Sequence, residues 1–291
     1  MPRTDRGAFT FAEEHHRPRL VGRLLLLGLA LVVGIGGWWG VRAALDSFAT
    51  MECRVTASEQ TFDWAPDQAS NTAVITAIAL RRGMVPRAAT IAIATAIQES
   101  KVRNITYGDR DSVGLFQQRP SQGWGTVEQI MNPEYSSNAF YDALEKVSGW
   151  ENADIATAAQ EVQRSADGRA YAAHEAKARV TASVLSGHSP AGIGCRLDDP
   201  TTAGDPAALV ALIKADHDLD ARVEGRSVVI DVADARQAWA IGSWGVARAV
   251  DTGARSVQVG DKQWSRSRAS SALTWSTSST PQPQTRVVLT L

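Results

Sequence analysis

The sequence predicts an α+β protein in three parts: an N-terminal membrane-spanning helix, an all-α domain and a small C-terminal α+β domain. An uncharged apolar run ends before residue 45. Helical apolar periodicity then dominates residues 67–196, and short alternating segments joined by turns replace it after residue 206. The length of 291 residues suits two domains and allows a sizeable core.

Composition removes several classes of function. The formal net charge is −1, so no global field favours nucleic acid, and we expect no nucleic-acid partner. The sequence has no zinc-type spacing of Cys and His and no glycine-rich phosphate loop, and its five histidines are scattered. We therefore expect no metal and no cofactor.

Residues 1–18 are predicted to be a cytoplasmic tail and residues 19–43 a transmembrane anchor. The run from Leu24 to Val41 carries no charge, and a spanning helix needs about 20 mostly apolar residues. The alternative is a cleaved signal peptide, which an arginine inside the cleavage-like segment 41–44 disfavours. The arginines before the run place the N-terminus in the cytoplasm. They are Arg3, Arg6, Arg17, Arg19 and Arg23. We expect a single-pass cell-membrane protein with its C-terminal domains outside the cell.

The predicted export of the chain bears on its two cysteines, because it allows them to form a disulfide. Cys53 and Cys195 both follow the predicted anchor, and in an oxidising compartment such a pair is usually bridged. Closing so long a loop stabilises the fold by on the order of 4–5 kcal/mol in the chain-entropy model. Two free buried thiols are the alternative. The predicted bridge favours a domain boundary just after Cys195.

Residues 44–66 are interpreted as a stalk that leads into the helical domain at residues 67–196. The first helix is expected from Asn71 to Arg82, ending before Gly83. Pro86 then begins a central helix, since a first turn tolerates its missing N–H. The remaining helices are expected over residues 126–131, 137–147, 153–164 and 170–186.

The central helix ends in a glutamate. Its residues 88–97 are apolar on nearly every side, which predicts a helix buried in the core. Glu99 follows at its end, and desolvation of a carboxyl favours the protonated form that a general acid requires. The plainer alternative is an ordinary helix-terminal residue that reaches solvent.

A second motif lies beyond a polar loop. Gly114-Leu115-Phe116-Gln117 is followed by Pro120, and together with Glu99-Ser100 it resembles the lytic transglycosylase branch of the lysozyme-like superfamily. Phe116 stands where methionine is commoner. The chain is similar, more closely, to membrane-anchored lysozyme-like proteins of high-GC Gram-positive bacteria. The resemblance covers about residues 70–190 and implies a lysozyme-like fold for the helical domain.

The resemblance also implies an activity, the cleavage of peptidoglycan glycan strands between N-acetylmuramic acid and N-acetylglucosamine. Glu99 is implied to protonate the glycosidic oxygen. The same carboxylate is then implied to accept the proton of the muramic acid 6-hydroxyl, which attacks the anomeric carbon and gives a 1,6-anhydro product. The neighbouring acetamido group stabilises the positive charge, so the reaction needs no nucleophile from the protein.

The substrate-binding residues expected around Glu99 come from both motifs and from two later positions. They are Ser100, Gln117, Gln118, Trp124 and Tyr171. Gln117 carries donors and acceptors suited to an acetamido group. Trp124 lies between two glycines, as a platform for a sugar ring or as a packed loop aromatic.

A third motif departs from the family. Its usual Ala-Tyr-Asn-Ala-Gly contacts the catalytic glutamate and the substrate, whereas residues 170–174 here read Ala-Tyr-Ala-Ala-His. Tyr171 matches the family tyrosine, while the asparagine and glycine are missing. Residues 163–165, Gln-Arg-Ser, are a candidate replacement.

Other functions remain open at this point. Asp109 and Asp111 lie in the polar loop as solvated carboxylates, or one of them positions a water and makes the protein a muramidase. An inverting glycosidase holds such a second carboxylate about 6.5–9.5 Å from the acid. The incomplete third motif also allows a non-catalytic glycan-binding or scaffold protein that retains a lysozyme-like cleft.

Residues 197–206 are a linker by composition, and residues 207–291 form the small α+β domain. A helix is expected from Asp205-Pro206 to about residue 216, and a hairpin around the Gly260-Asp261 turn. Other elements are expected over residues 222–224, 227–232, 233–250 and 286–290. The Ser-rich residues 265–280 are interpreted as a flexible loop.

The C-terminal domain carries no catalytic constellation in its sequence. Its tryptophans either line a sugar-binding surface or pack in the core, and the spacing of the helical pair favours packing. They are Trp239, Trp244, Trp264 and Trp275. We expect this domain to hold a protein partner or the cell wall itself.

Overall fold

The computed structural model describes residue 37, residues 49–164 and residues 169–291. Its helices are α1 (Pro66–Arg81), α2 (Pro86–Ser100), α3 (Val127–Ile130), α4 (Pro133–Leu144), α5 (Ile155–Gln163), α6 (Arg169–Ala172), α7 (Glu175–Leu185), α8 (Pro206–His217), α9 (Ala235–Ala247) and α10 (Ala249–Thr252). Its strands are β1 (Glu52–Ala57), β2 (Gln60–Trp64), β3 (Ile193–Arg196), β4 (Arg222–Glu224), β5 (Ser227–Asp231), β6 (Ser256–Val259), β7 (Lys262–Ser265), β8 (Ser276–Thr277) and β9 (Arg286–Thr290). The predicted α+β class is confirmed.

The predicted tail and anchor, residues 1–43, lie outside the described residues apart from residue 37. Among the helices that the structure describes, none is long and apolar enough to cross a membrane.

The segment expected to be a stalk contains a β-hairpin. β1 and β2 pair antiparallel, with Cys53 opposite Trp64. The turn between them places Ser58 and Glu59 at φ 49° and 63°, in the left-handed region. The buried Trp64 ring donates its Nε1–H to Thr181 Oγ1 at 3.1 Å, so the hairpin is anchored on α7. From Glu52 onward this segment belongs to the folded unit.

The predicted disulfide is confirmed. Cys53 and Cys195 are bridged, and their Cα atoms lie directly opposite in the antiparallel pairing of β1 with β3. Both residues are fully buried. The three-stranded sheet β2-β1-β3 therefore joins the two ends of the helical part, where the sequence predicted helices alone.

Helix α2 is the core of the helical part, as predicted from its all-round apolar sequence. It begins at Pro86, and residues 88–96 are all buried. Helices α1, α4, α5, α6 and α7 pack around it. Its many alanines allow these helices to pack closely, because small side chains at the contact permit a short distance between helix axes.

The C-terminal part is an antiparallel sheet in the order β4-β5-β9-β6-β7-β8, covered by α9. Gly245 of α9 lies against Leu289 of β9, where a Cβ would meet the leucine side chain at 2.6 Å. Helix α9 also packs on α1 and α7, and Asp251 accepts a hydrogen bond from Ser70 of α1. Residues 49–291 consequently form one compact unit.

The Ser-rich residues 265–280 are not a loop throughout. They contain a 3₁₀ turn over Ser270–Leu273 and strand β8. Trp264 donates its Nε1–H to the carbonyl of Ala272 at 2.8 Å, and Trp275 donates to the carbonyl of Ile193 at 2.6 Å. These contacts hold the segment against β3. Trp264 is buried and Trp275 is half-buried, so both take part in the packing of this segment.

Candidate functional site

Glu99 lies in the last turn of α2 and is half-buried. Its Oε1 atom accepts a hydrogen bond of 2.7 Å from the hydroxyl of Tyr171. Tyr171 belongs to the short helix α6 and is 1% exposed. The structure therefore brings together two of the predicted site residues, even though the motif around the tyrosine lacks the asparagine and glycine of the family.

The backbone just after Glu99 is strained. Lys101 and Val102 have φ values of 56° and 57°, and a β-branched residue in this region is an outlier. Such a conformation costs on the order of 1–3 kcal/mol and persists only where the surroundings fix it. Gln68 and Asn71 of α1 donate to the carbonyls of Lys101 and Val102 at 2.7 and 2.9 Å. Sequence reasoning missed both donors, because no local motif marks them.

Ser100 joins the two predicted motifs. Its buried hydroxyl donates to the carbonyl of Leu115 at 2.6 Å and approaches that of Ala96 at 3.1 Å. The two residues of the first motif therefore have different roles. Glu99 supplies a carboxyl, and Ser100 holds the second motif through the Leu115 carbonyl. Ser100 has no free hydroxyl proton for a substrate while this bond is made.

The motif from Gly114 to Gln118 is a tight turn on the core. Gly114 has a φ of 81°, and a Cβ there would lie 2.9 Å from the carbonyl oxygen of Ile130, so glycine is required. Leu115 and Phe116 are fully buried. The Phe116 ring stacks on Phe140 with a centroid distance of 4.7 Å, which places this residue in the core.

The two glutamines of the turn differ in surroundings. Gln117 is half-buried, with a φ of 49°, and its amide donates to the carbonyls of Tyr107 and Gly114 at 3.3 Å each. Gln118 is 1% exposed and donates to the carbonyl of Ser136 at 3.1 Å. Gln118 thus holds the turn from inside, whereas Gln117 lies at the surface beside the loop.

Gln163 of α5 also contacts the turn from Gly114 to Gln118. Its Nε2 donates to the carbonyl of Phe116 at 2.7 Å, next to the Leu115 carbonyl that Ser100 holds. Two consecutive carbonyls of the motif are therefore fixed, one from α2 and one from α5. The sequence singled out residues 163–165 as a replacement for the family asparagine, and Ser165 lies outside the described residues.

A cavity of about 560 Å³ opens beside this turn. The half-buried Trp124 and Tyr135 supply aromatic walls, and Gln163 belongs to its lining. Gln163 therefore connects the lining of the cavity to the motif, since its amide donates to the Phe116 carbonyl.

Asp109 is a solvated loop residue. Its side chain is 87% exposed, and its nearest cation, Arg110, lies 3.9 Å away. The structure gives it no contact with Glu99 or with Tyr171. It therefore stands apart from the pair that forms the candidate site.

Asp111 organises the polar loop. It accepts hydrogen bonds from the backbone N–H of Ser121 at 2.8 Å, from Arg119 Nε at 2.9 Å and from the Ser121 hydroxyl at 3.0 Å. These donors hold the pKa of the Asp111 carboxyl well below its usual value. Asp111 thereby caps the 3₁₀ turn at Pro120–Gln122, and its oxygens are occupied.

His174 was not singled out by the sequence. Its Nε2 lies 3.0 Å from Oε1 of Gln98, the residue before Glu99. Burial lowers the pKa of the His174 ring, and the neighbouring Lys177 lowers it further. A neutral imidazole therefore links α2 to the segment that carries Tyr171.

Compared with known proteins, the chain matches no protein-family model and no curated protein by sequence.

Proposed function

We propose that the chain is a membrane-anchored lytic transglycosylase that cleaves peptidoglycan strands, with Glu99 as acid and then base. The observation that supports this most strongly is the hydrogen bond of 2.7 Å between Tyr171 and Glu99. It joins the first motif to the third across the fold.

In the first step Glu99 donates its proton to the glycosidic oxygen. The bond from that oxygen to the anomeric carbon of N-acetylmuramic acid breaks, and the protonated N-acetylglucosamine leaves. Because Tyr171 engages Oε1, we assign the proton transfer to Oε2. The tyrosine hydroxyl stabilises the carboxylate that results, since a hydrogen bond to a charged acceptor is stronger than one to a neutral acceptor.

In the second step the ionised Glu99 accepts the proton of the 6-hydroxyl of the same muramic acid. The oxygen bonds to the anomeric carbon, which gives a 1,6-anhydro ring and restores the protonated glutamate. The acetamido group of the sugar stabilises the intermediate cation. One carboxylate thus serves both steps, whereas most glycosidases require two.

The loop aspartates favour this reaction over hydrolysis. A muramidase would need a carboxylate free to activate water, but Asp111 accepts three hydrogen bonds within its own loop. The Asp109 side chain is 87% exposed, and the structure gives it no contact with Glu99. The transglycosylase mechanism needs neither of them.

The proposed cell location follows from the predicted anchor at residues 19–43. The anchor would tether the site to the external face of the cell membrane, close to the inner surface of the wall. There the enzyme would open strands for growth or for the passage of an assembly. The C-terminal part would bind a protein partner or the wall, and its packing on α1 and α7 would transmit that position to the site.

The test is a digestion of purified peptidoglycan by the full chain in mild detergent, with products identified by mass spectrometry. We expect anhydro-muropeptides from the natural sequence and none from Glu99→Gln. Glu128→Gln, an exposed glutamate of α3, is the matched control and should retain activity. Products with reducing ends would indicate a muramidase, and binding without cleavage would indicate a scaffold protein.

A further inference from the structure

Tyr171 reaches Glu99 from a segment with little regular structure of its own. Its helix α6 spans only four residues, Arg169–Ala172, and a helix of that length is not stable in isolation. The two residues after the tyrosine, Ala172 and Ala173, are exposed and carry no polar side chain. The position of the Tyr171 hydroxyl is therefore set by contacts with neighbouring elements.

A second side-chain hydrogen bond joins the same two segments. Nε2 of His174 lies 3.0 Å from Oε1 of Gln98, and an amide oxygen only accepts, so the ring donates from Nε2. Gln98 directly precedes Glu99 in α2, and His174 follows Tyr171 by three positions. Two adjacent residues of α2 are therefore bonded to two side chains of one turn.

Backbone hydrogen bonds hold His174 in a fixed relation to Tyr171. The N–H of His174 donates to the carbonyl of Tyr171 at 3.1 Å. The carbonyl of His174 accepts from the N–H of Ala178, in the first turn of α7, at 3.0 Å. The imidazole is thus attached both to α7 and to the turn that carries the tyrosine. A displacement of the ring from Gln98 would move this turn, and with it the phenol.

We propose that His174 is a positioning residue, which holds Tyr171 against Glu99 through its hydrogen bond to Gln98. The inference rests on the proposed function, because it makes the rate of that reaction depend on His174 through the tyrosine. His174 stands at the position of the family glycine, and glycine has no side chain that could make this bond. The altered third motif therefore supplies a contact of its own to the helix that carries Glu99.

The first readout is the rate of anhydro-product release by the full chain in mild detergent. His174→Ala removes the donor, and we expect kcat to fall about 3- to 10-fold, as for the loss of a neutral hydrogen bond. His174→Gln should restore most of the rate, because the amide nitrogen of glutamine reaches about as far as Nε2 of the ring. The shorter side chain in His174→Asn should not restore it.

Two further variants separate the hydrogen bond from an effect on folding. Gln98→Ala removes the acceptor at an exposed helix position that suits alanine, so it should fold and lower the rate to the same extent as His174→Ala. The matched control is Arg179→Gln, an exposed arginine of α7, which should leave the rate unchanged.

A double substitution and a spectroscopic signal decide whether His174 acts through the tyrosine. In a Tyr171→Phe background, His174→Ala should cause no further loss of rate, since both substitutions remove the same contribution. The signal is the ¹³Cζ resonance of Tyr171 in a chain labelled at its four tyrosines, which reports the hydrogen bonding of the phenol. It should shift in His174→Ala and return in His174→Gln. The resonance of Tyr141, whose hydroxyl donates to the Ile75 carbonyl, should stay in place.

An unchanged rate and an unchanged Tyr171 resonance in His174→Ala would overturn the inference, and so would rate losses that add in full to those of Tyr171→Phe. Its failure is distinct from failure of the proposed reaction. Anhydro-product release with a Tyr171 resonance that ignores His174→Ala would remove the inference alone. A resonance that shifts in His174→Ala and returns in His174→Gln, in a chain that releases no product, would leave the positioning role and remove the transglycosylase.

Discussion

The hydroxyl of Tyr171 donates to Oε1 of Glu99 at 2.7 Å, across 72 positions of the chain. The tyrosine is buried and the glutamate half-buried, so the bond is made away from most of the solvent. This bond orients the Glu99 carboxyl for the proposed reaction.

Replacing Tyr171 with phenylalanine should slow the reaction while leaving the fold intact. Loss of a hydrogen bond to a charged group costs about 1.5–3 kcal/mol, which corresponds to a fall in kcat of about 10- to 100-fold. The measurement is the rate of anhydro-product release as a function of pH. Tyr141→Phe is the control, because its buried hydroxyl donates to the Ile75 carbonyl at 2.8 Å, away from the site. It should lower stability and spare the rate; equal rate losses in both variants would contradict the assignment.

Removing Asp111 should loosen the polar loop without changing the chemistry. Asp111→Ala deletes the acceptor for Arg119 and Ser121, so we expect a lower Tm and a reduced rate with unchanged anhydro-products. Mass spectrometry of the digest gives the outcome. Complete loss of cleavage in a variant that remains folded by circular dichroism would favour Asp111 as a catalytic base.

The disulfide should contribute substantially to stability. Cys53→Ala combined with Cys195→Ala frees the two ends of the helical part, and loss of a native bridge typically costs about 2–5 kcal/mol. Denaturant unfolding of the variant, and of the natural chain with and without reductant, measures the effect. An unchanged unfolding midpoint in the variant would show that the pairing of β1 with β3 is sufficient by itself.

His217 should make stability depend on pH. Burial, with smaller effects of Arg248 and Arg81, lowers the pKa of its ring from 6.5 to about 3. Between these values the unfolded chain binds the proton and the folded chain does not, so stability falls as pH falls from 6.5. The slope is at most about 1.4 kcal/mol per pH unit.

The measurement is the free energy of unfolding of the natural chain and of His217→Asn between pH 7.5 and 4.5. The neighbouring Asp216 has a pKa raised by burial and opposes this slope, but it is present in both proteins. The free energy of unfolding of the natural chain should therefore fall relative to that of His217→Asn as the pH falls. Parallel curves would contradict a neutral His217 in the folded state.

Local signals were sufficient for the central elements of the fold. Pro86 and the apolar run after it predicted α2, because the run is too long for a typical strand and a helix that is apolar on every side lies in a core. The Gly260-Asp261 pair predicted the β6–β7 hairpin, and Gly260 has the positive φ that such a turn requires.

The hairpin of β1 and β2 could not be recognised in the same way. Its turn residues Ser58 and Glu59 both have positive φ, yet neither is the glycine or asparagine that usually marks such a turn. The conformation is supported instead by contacts distant in sequence, such as Trp64 with Thr181. A local sequence pattern cannot indicate such long-range contacts.

In the candidate site, too, the sequence predicted some residues, whereas others became evident only from the structure. The resemblance supplied both Glu99 and Tyr171, and the structure places them in contact. Gln163 was anticipated as a replacement for a family residue, but its amide donates to the Phe116 carbonyl. Gln68 and Asn71 were not anticipated, since their partners are backbone carbonyls whose exposure depends on the left-handed turn after α2.

In the proposed reaction Glu99 drives an intramolecular cleavage in which water takes no part. The most direct test is digestion of peptidoglycan in water enriched in ¹⁸O, followed by mass spectrometry of the muramic acid ends. We expect anhydro ends without the label, formed by the natural chain and not by Glu99→Gln. Reducing ends that carry one ¹⁸O atom would contradict it and establish hydrolysis.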